Sequence, residues 1–334
     1  MELVITMIFF MFSIVISLIY KKIAINNNIV AIKNHRTLHS LPTPKGGGIV
    51  FSFLSLLSFI LIWWNWQLPK ELFLIIVVGG GVASIFGFVD DIKNIRARIK
   101  LIVQIFLAVW VVYWLEYGGL LLLDWMPTFL TIFLLLFFMV WIINAYNFID
   151  GIDGLAASEA IFISLTLAVV LFLTNGSIEI TAIFILIAAS VSGFILFNWP
   201  PATIFMGDAG SVFLGYIFGS LLLFTVLTDN ISIWSWLTVF GYFFADTTAT
   251  QIIRIVLVKK WYLAHRSHAY QNLARITGSH LKVTRGITLY NLIWVLPLTL
   301  WSAIQPEMGV VTVILAIMPA LVVAYKYGPV LSSS

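Results

Sequence analysis

The sequence predicts an all-α integral membrane protein of about eleven transmembrane helices, with the N-terminus periplasmic and the C-terminus cytoplasmic. Three observations predict it. Of 334 residues, 61% are hydrophobic and only 10% charged, whereas soluble domains carry about a quarter charged residues. The apolar residues gather in runs of about 20, the length that crosses a bilayer as a helix. Every Lys and Arg but Lys70 then falls on one face, and the positive-inside rule makes that face cytoplasmic. The net charge of +4 is thereby assigned to membrane-side loops, which removes the argument for a nucleic-acid partner. With no Cys, disulfides, thiol catalysis and cysteine-ligated metals are excluded.

The first run, 3–20, lacks a positive n-region and a small-residue cleavage site, and Lys21 and Lys22 follow it. It is expected to be an uncleaved span with its start outside. Ten further runs follow, at 46–64, 71–89, 99–116, 128–145, 155–173, 179–197, 212–228, 234–253, 286–304 and 309–325. Together they claim roughly three-fifths of the chain and leave little room for a soluble domain, so residues 1–334 are expected to form a single polytopic domain. Alternation places loops 21–45, 90–98, 146–154, 198–211 and 254–285 on the cytoplasmic side.

The chemistry concentrates in those loops. Before the second span, His35 to Gly48 combines a rigid Pro turn, a Gly run and the cation Lys45. It reads either as a donor loop for a phosphate ligand or as a basic loop on anionic headgroups. The third span ends in Asp90-Asp91, a solvated helix end or a Mg²⁺ and phosphate site, since Mg²⁺ takes one or two carboxylates plus phosphate oxygens and waters. Lys100 lies one turn inside the fourth span, there to snorkel or to meet an anion.

The fifth span runs into Asn144, Asn147, Asp150 and Asp153, spaced by three with Gly151 and Gly154 among them. That spacing puts neighbours on one helical face, and a helix cap needs one such residue, not four in phase. Glu159 sits one turn into the sixth span. Before the eighth, Met206-Gly-Asp208-Ala-Gly-Ser211 reads as a cap or as a helix start whose amides suit phosphate oxygens. In the longest loop, His265-Arg266-Ser-His268 lacks a third zinc ligand nearby and suits anion binding or proton transfer. One face thus presents carboxylates, amides and cations, the set phosphoryl transfer requires for positioning and charge stabilisation.

These five motifs, in this order, resemble the polyprenyl-phosphate N-acetylhexosamine-1-phosphate transferases, the superfamily that includes the O-antigen initiators and the phospho-N-acetylmuramoyl-pentapeptide transferase of peptidoglycan. The resemblance covers residues 35 to about 285. It implies a UDP-N-acetylhexosamine donor, undecaprenyl phosphate as acceptor, Mg²⁺ (with Mn²⁺ as a substitute) and a bacterial inner-membrane location, with a homodimer as the state suggested by the peptidoglycan member. It also implies that Asp208 and Asp91 ligate the metal, and that Asp90 lies near the lipid phosphate as a base or as an orienting group. Lys100, in a Lys-x-x-x-Gln pattern with Gln104, would contact the diphosphate. Lys45, Asn144, Asn147, Asp150, Asp153, His265, Arg266 and His268 would line the substrate pocket. The loop at 261–271 is similar to the O-antigen branch. A transporter also uses intramembrane Asp and Asn, but near the midplane; a scaffold without activity would not need all five motifs.

Overall fold

The computed structural model describes residues 2–31, 43–66, 68–121, 126–257 and 266–329. Among these, ten helices are long and apolar enough to cross a membrane. In chain order the helices are α1 (Glu2–Asn26), α2 (Gly48–Trp66), α3 (Lys70–Lys93), α4 (Ala97–Tyr117), α5 (Thr128–Ile149), α6 (Leu155–Leu173) and α7 (Ile178–Asn198). They continue as α8 (Asp208–Leu227), α9 (Ile233–Val239), α10 (Gly241–Leu257), α11 (Ala269–Thr277), α12 (His280–Ile304) and α13 (Pro306–Tyr327). Two short strands, β1 (Val30–Ala31) and β2 (Thr43–Pro44), pair antiparallel between α1 and α2.

The ninth expected span, 234–253, is divided, which leaves ten of the eleven. It breaks at Phe240 into α9 and the 17-residue α10, shorter than the about 20 residues a span needs. The physical reason is polarity: α10 buries Asp246, Thr247, Thr250, Gln251 and Arg254, so that face turns to protein rather than lipid. Elsewhere the lipid surface is plain. Phe129, Phe133 and Phe137, at i, i+4 and i+8 on α5, are each more than 60% exposed, a stripe that only hydrocarbon covers without cost.

Helix α8 is the axle, with 89% of its most apolar stretch buried against 22% for α1. Helices α2, α3 and α5 pack around it. Small residues let them approach: a Cβ at Gly215 would lie 2.8 Å from the Ile143 Cα, and one at Gly219 2.7 Å from the Ile142 side chain, both on α5. Close helix–helix approach at residues four apart is how dispersion holds membrane helices together. Gly215→Leu is therefore expected to lower thermal stability in detergent sharply, through forced separation of α5 and α8, while Gly286→Ala, where a Cβ meets nothing within 4 Å, leaves the melting temperature almost unchanged.

Candidate active site

Four helix ends meet on one side of the membrane: the last turns of α3 and α5 and the first turns of α4 and α8. What fixes them is the segment before α8. The Phe205 amide donates to the Pro44 carbonyl at 2.8 Å, and the Gly47 and Gly48 amides donate to Phe205 and Met206 carbonyls at 2.9 Å. This ladder ends at Gly207, whose φ of +72° suits glycine and where a Cβ would lie 2.4 Å from the Asp91 Oδ2. Glycine is thus required twice over. Asp91 then accepts the Asp208 amide at 3.2 Å and the Ala209 amide at 3.0 Å. An α3 carboxylate caps α8 from outside, a favourable place for negative charge. The sequence reading offered those amides to phosphate oxygens; Asp91 takes two of them instead.

The turn Asp91 secures presents Asp208 to the centre of the cluster. The Lys100 Nζ bridges the two carboxylates, bonding Asp208 Oδ2 at 2.9 Å and also meeting Asp90 Oδ2. The other Asp208 oxygen accepts from Asn147 Nδ2 at 3.0 Å, and the same amide reaches the Ser211 hydroxyl at 2.9 Å. Asp90 Oδ1 takes the Ile95 amide at 2.6 Å. One turn deeper, Gln104 and Asn144 exchange both amide bonds, at 2.7 and 3.2 Å, locking α4 to α5 beneath Lys100 and Asn147. Accessibility separates the roles. Asp90 and Asp91 are buried, whereas the side chains of Asp208 and Lys100 remain 24% and 34% exposed. An incoming ligand therefore meets Asp208 and Lys100 first.

The remaining expected residues are distributed around this centre. Lys45 is anchored by its carbonyl, which accepts the Tyr20 hydroxyl at 2.5 Å, and its charge acts through space on Asp91. Only Asn144 and Asn147 lie on α5, which ends at Ile149; Asp150 and Asp153 fall in the turn beyond, so the four are not one helical face. Asp150 takes the Gly207 amide and so stays at the centre. Asp153 turns away: buried, it accepts the Ala202 amide at 3.0 Å and faces His280 Nδ1 at 3.3 Å, tying the turn to α12. His265 lies outside the described residues. Arg266 is exposed, and its carbonyl accepts from Arg275. His268 is buried at 2%, its ring 5.6 Å from that of Phe148 on α5. Sequence reasoning gave no role to the residues that place it. Asp246 on α10 accepts the Ala269 and Tyr270 amides at 3.0 and 3.4 Å, and the Tyr270 hydroxyl reaches the Phe148 carbonyl at 2.5 Å. An acid inside an apolar run was the available signal for Asp246. For Tyr270 there was none.

Burial first, then repulsion by Asp208 and Asp91, holds the Asp150 carboxyl well above the usual carboxylate range. The folded state thus binds a proton there that the unfolded chain releases, so stability falls as pH rises from the ordinary carboxylate range toward the raised value. Asp150→Asn removes this penalty. In EDTA its melting temperature is expected to exceed that of the wild type at neutral and alkaline pH, with the difference fading as pH falls into the ordinary carboxylate range. A difference independent of pH would contradict the assignment.

No group of three His, Asp or Glu among the described residues forms a closed metal cage. The donor set nevertheless suits Mg²⁺, which takes one or two carboxylates and fills its octahedron with water and phosphate oxygens. Partly exposed Asp208, with Asp90 behind Lys100, offers that number. Asp91 has both oxygens on α8 amides, a role that orients Asp208.

A family model, glycosyl transferase family 4, matches residues 73–226, the stretch from the start of α3 to the end of α8 that builds this cluster. Those residues are a glycosyl transferase family 4 domain. The chain is also similar to several bacterial enzymes. The chain is 29% identical over 289 residues to the probable undecaprenyl-phosphate N-acetylglucosaminyl 1-phosphate transferase of Bacillus subtilis, covering 80% of this chain and 75% of that protein. It is 33% identical over 198 residues to the phospho-N-acetylmuramoyl-pentapeptide-transferase of Fervidobacterium nodosum, covering 56% of this chain and 60% of that one. It is 31% identical over 223 residues to the decaprenyl-phosphate N-acetylglucosaminephosphotransferase of Mycolicibacterium smegmatis, covering 59% and 53% respectively. Apart from the Bacillus protein, the chain thus spans little more than half the length of these relatives.

Proposed function

We propose that this multi-pass membrane protein transfers an N-acetylhexosamine 1-phosphate from a UDP-sugar to undecaprenyl phosphate, releasing UMP, at the cytoplasmic face of a bacterial inner membrane. The observation that carries the reading is the Lys100 bridge between Asp90 and Asp208, set with Asn147 at helix ends on one side of the bilayer. A water-soluble diphosphate and a membrane-held phosphate can both reach that level. The relatives' names supply the substrate classes, and a loop of the O-antigen type at 261–271 favours initiation of a lipid-linked surface polysaccharide.

In the reaction, an oxygen of the lipid phosphate attacks the sugar-proximal phosphorus; that new bond forms as the bond to the bridging oxygen breaks, and UMP carries the electron pair away. Lys100 donates to the diphosphate oxygens as charge develops. Asp90 holds the ammonium in place, and Asn147 fixes the rotamer of Asp208. No base is required, because a phosphate monoester is already largely dianionic near pH 7. Mg²⁺ held by Asp208, when bound, would neutralise charge on the diphosphate.

The test is UMP release by purified protein with undecaprenyl phosphate, Mg²⁺ and a panel of UDP-linked sugars: N-acetylglucosamine, N-acetylgalactosamine, N-acetylfucosamine, N-acetylquinovosamine and N-acetylmuramoyl pentapeptide. Turnover with one N-acetylhexosamine, abolished by EDTA and restored by Mg²⁺ or Mn²⁺, is expected. Turnover with the pentapeptide donor alone would move the chain to peptidoglycan synthesis, which the 33% identity to the Fervidobacterium enzyme makes the second reading. Uptake of a solute without UMP release would make it a transporter.

A further inference from the structure

Away from the cluster, two hollows of about 480 and 320 Å³ share Gly286, Tyr290 and Pro319, so they form one furrow between α12 and α13. The furrow is built by the sequence. Gly286 leaves open space where a side chain would stand, with nothing within 4 Å of an added Cβ. Pro319 lies inside α13, where its missing N–H frees the carbonyl four residues earlier. That carbonyl, of Leu315, accepts the Trp294 indole N–H at 2.9 Å, and the Tyr290 hydroxyl donates to the next one, Ala316. The two aromatic walls are therefore pinned to the α13 backbone. Residues 291–295 of α12 wind as a π-helical turn, an irregularity often kept for a purpose.

The furrow is polar at one end only. Lys282 and Thr277 line that end, Tyr290, Ile293 and Trp294 the other; Arg275 and Arg285, both exposed, lie close by in the sequence. Between them, Tyr242 lines the wall, buried with its hydroxyl lacking a partner among the described residues. From Lys282 to Ile293 the helix rises about 16 Å, close to half of the about 30 Å hydrocarbon core, the depth of one leaflet. We infer that this furrow is a binding site for a phospholipid with an anionic headgroup, its phosphate at Lys282 and an acyl chain along Gly286, Tyr290 and Ile293, in the leaflet that faces the carboxylate cluster. The Tyr242 hydroxyl supplies a donor for an ester carbonyl. The lipid would also brace the site, because Tyr242 and Asp246 sit one turn apart on α10, and Leu273 and Thr277 lie on the α11 helix whose first amides Asp246 caps.

The experiment uses full-length protein in a neutral detergent, with phosphatidylglycerol or phosphatidylcholine added, read by melting temperature and by native mass spectrometry of retained lipid. Phosphatidylglycerol is expected to be retained at one per chain and to raise the melting temperature more than phosphatidylcholine, with inorganic phosphate giving no shift. Lys282→Ala should abolish the preference for the anionic lipid, and Gly286→Leu, filling open space, should lose retention of both. Equal retention by wild type and both variants, or no preference between the lipids, would overturn the proposal. Neither readout requires turnover, so its failure is distinct from failure of the transferase reading.

Discussion

Asp208→Asn is expected to reduce turnover by about 10³-fold or more with a folded protein and little change in donor KM. The substitution keeps the shape of the side chain, so Asn147 can still donate to its oxygen, but it removes the negative charge that faces both Lys100 and any bound cation. Groups aimed at developing charge in a site shielded from water contribute on the order of 10²–10³ in kcat each, and Asp208 faces two such partners. Steady-state kinetics with a melting curve on the same preparation checks it. A variant that retains wild-type kcat would remove Asp208 from the reaction, and the metal assignment with it. Asp91→Asn should behave differently, because both Asp91 oxygens accept α8 amides that an Asn amide can only half satisfy. Its loss should appear jointly in stability and kcat, and rates equal to the wild type would detach Asp91 from the positioning of Asp208.

Gly207→Val should be still more disruptive. A β-branched residue at a φ of +72° is strained by about 1–3 kcal/mol, and its Cβ would sit 2.4 Å from the Asp91 carboxylate. Displacing Asp91 uncaps α8, the most buried helix, and swings Asp208 away from Lys100. Loss of turnover together with a lowered melting temperature is expected. If the variant melts and turns over like the wild type, the capping account of the site is wrong.

The spans were legible because length and hydropathy are local properties; 155–173 matches α6 at both ends. Misjudged ends have a common cause. Helix α8 begins at Asp208 rather than 212, since its cap comes from Asp91, 117 residues earlier. Helix α12 begins at His280, where a polar first turn hides a helix start from any hydropathy reading. The carboxylates of the site were legible too, because charge at a hydrocarbon boundary is costly and rarely idle. What spacing alone did not show was division of labour. Asp90, Asp91 and Asp208 look alike in the sequence; burial and bonding make one a holder of Lys100, one a helix cap and one a partly accessible carboxylate. Asp153 likewise belongs to a tie with His280 that lies 127 residues on, beyond the reach of any local pattern.

The proposed reaction breaks a phosphorus–oxygen bond within the diphosphate linkage, so the sugar's own phosphate travels with it. A UDP-N-acetylhexosamine labelled with ³²P at the sugar-proximal phosphate tests this directly, with purified protein and undecaprenyl phosphate. Label is expected in the lipid phase and unlabelled UMP in the aqueous phase, in equal amounts, and neither with Asp208→Asn. Labelled UDP in the aqueous phase, beside a lipid carrying sugar without label, would contradict it.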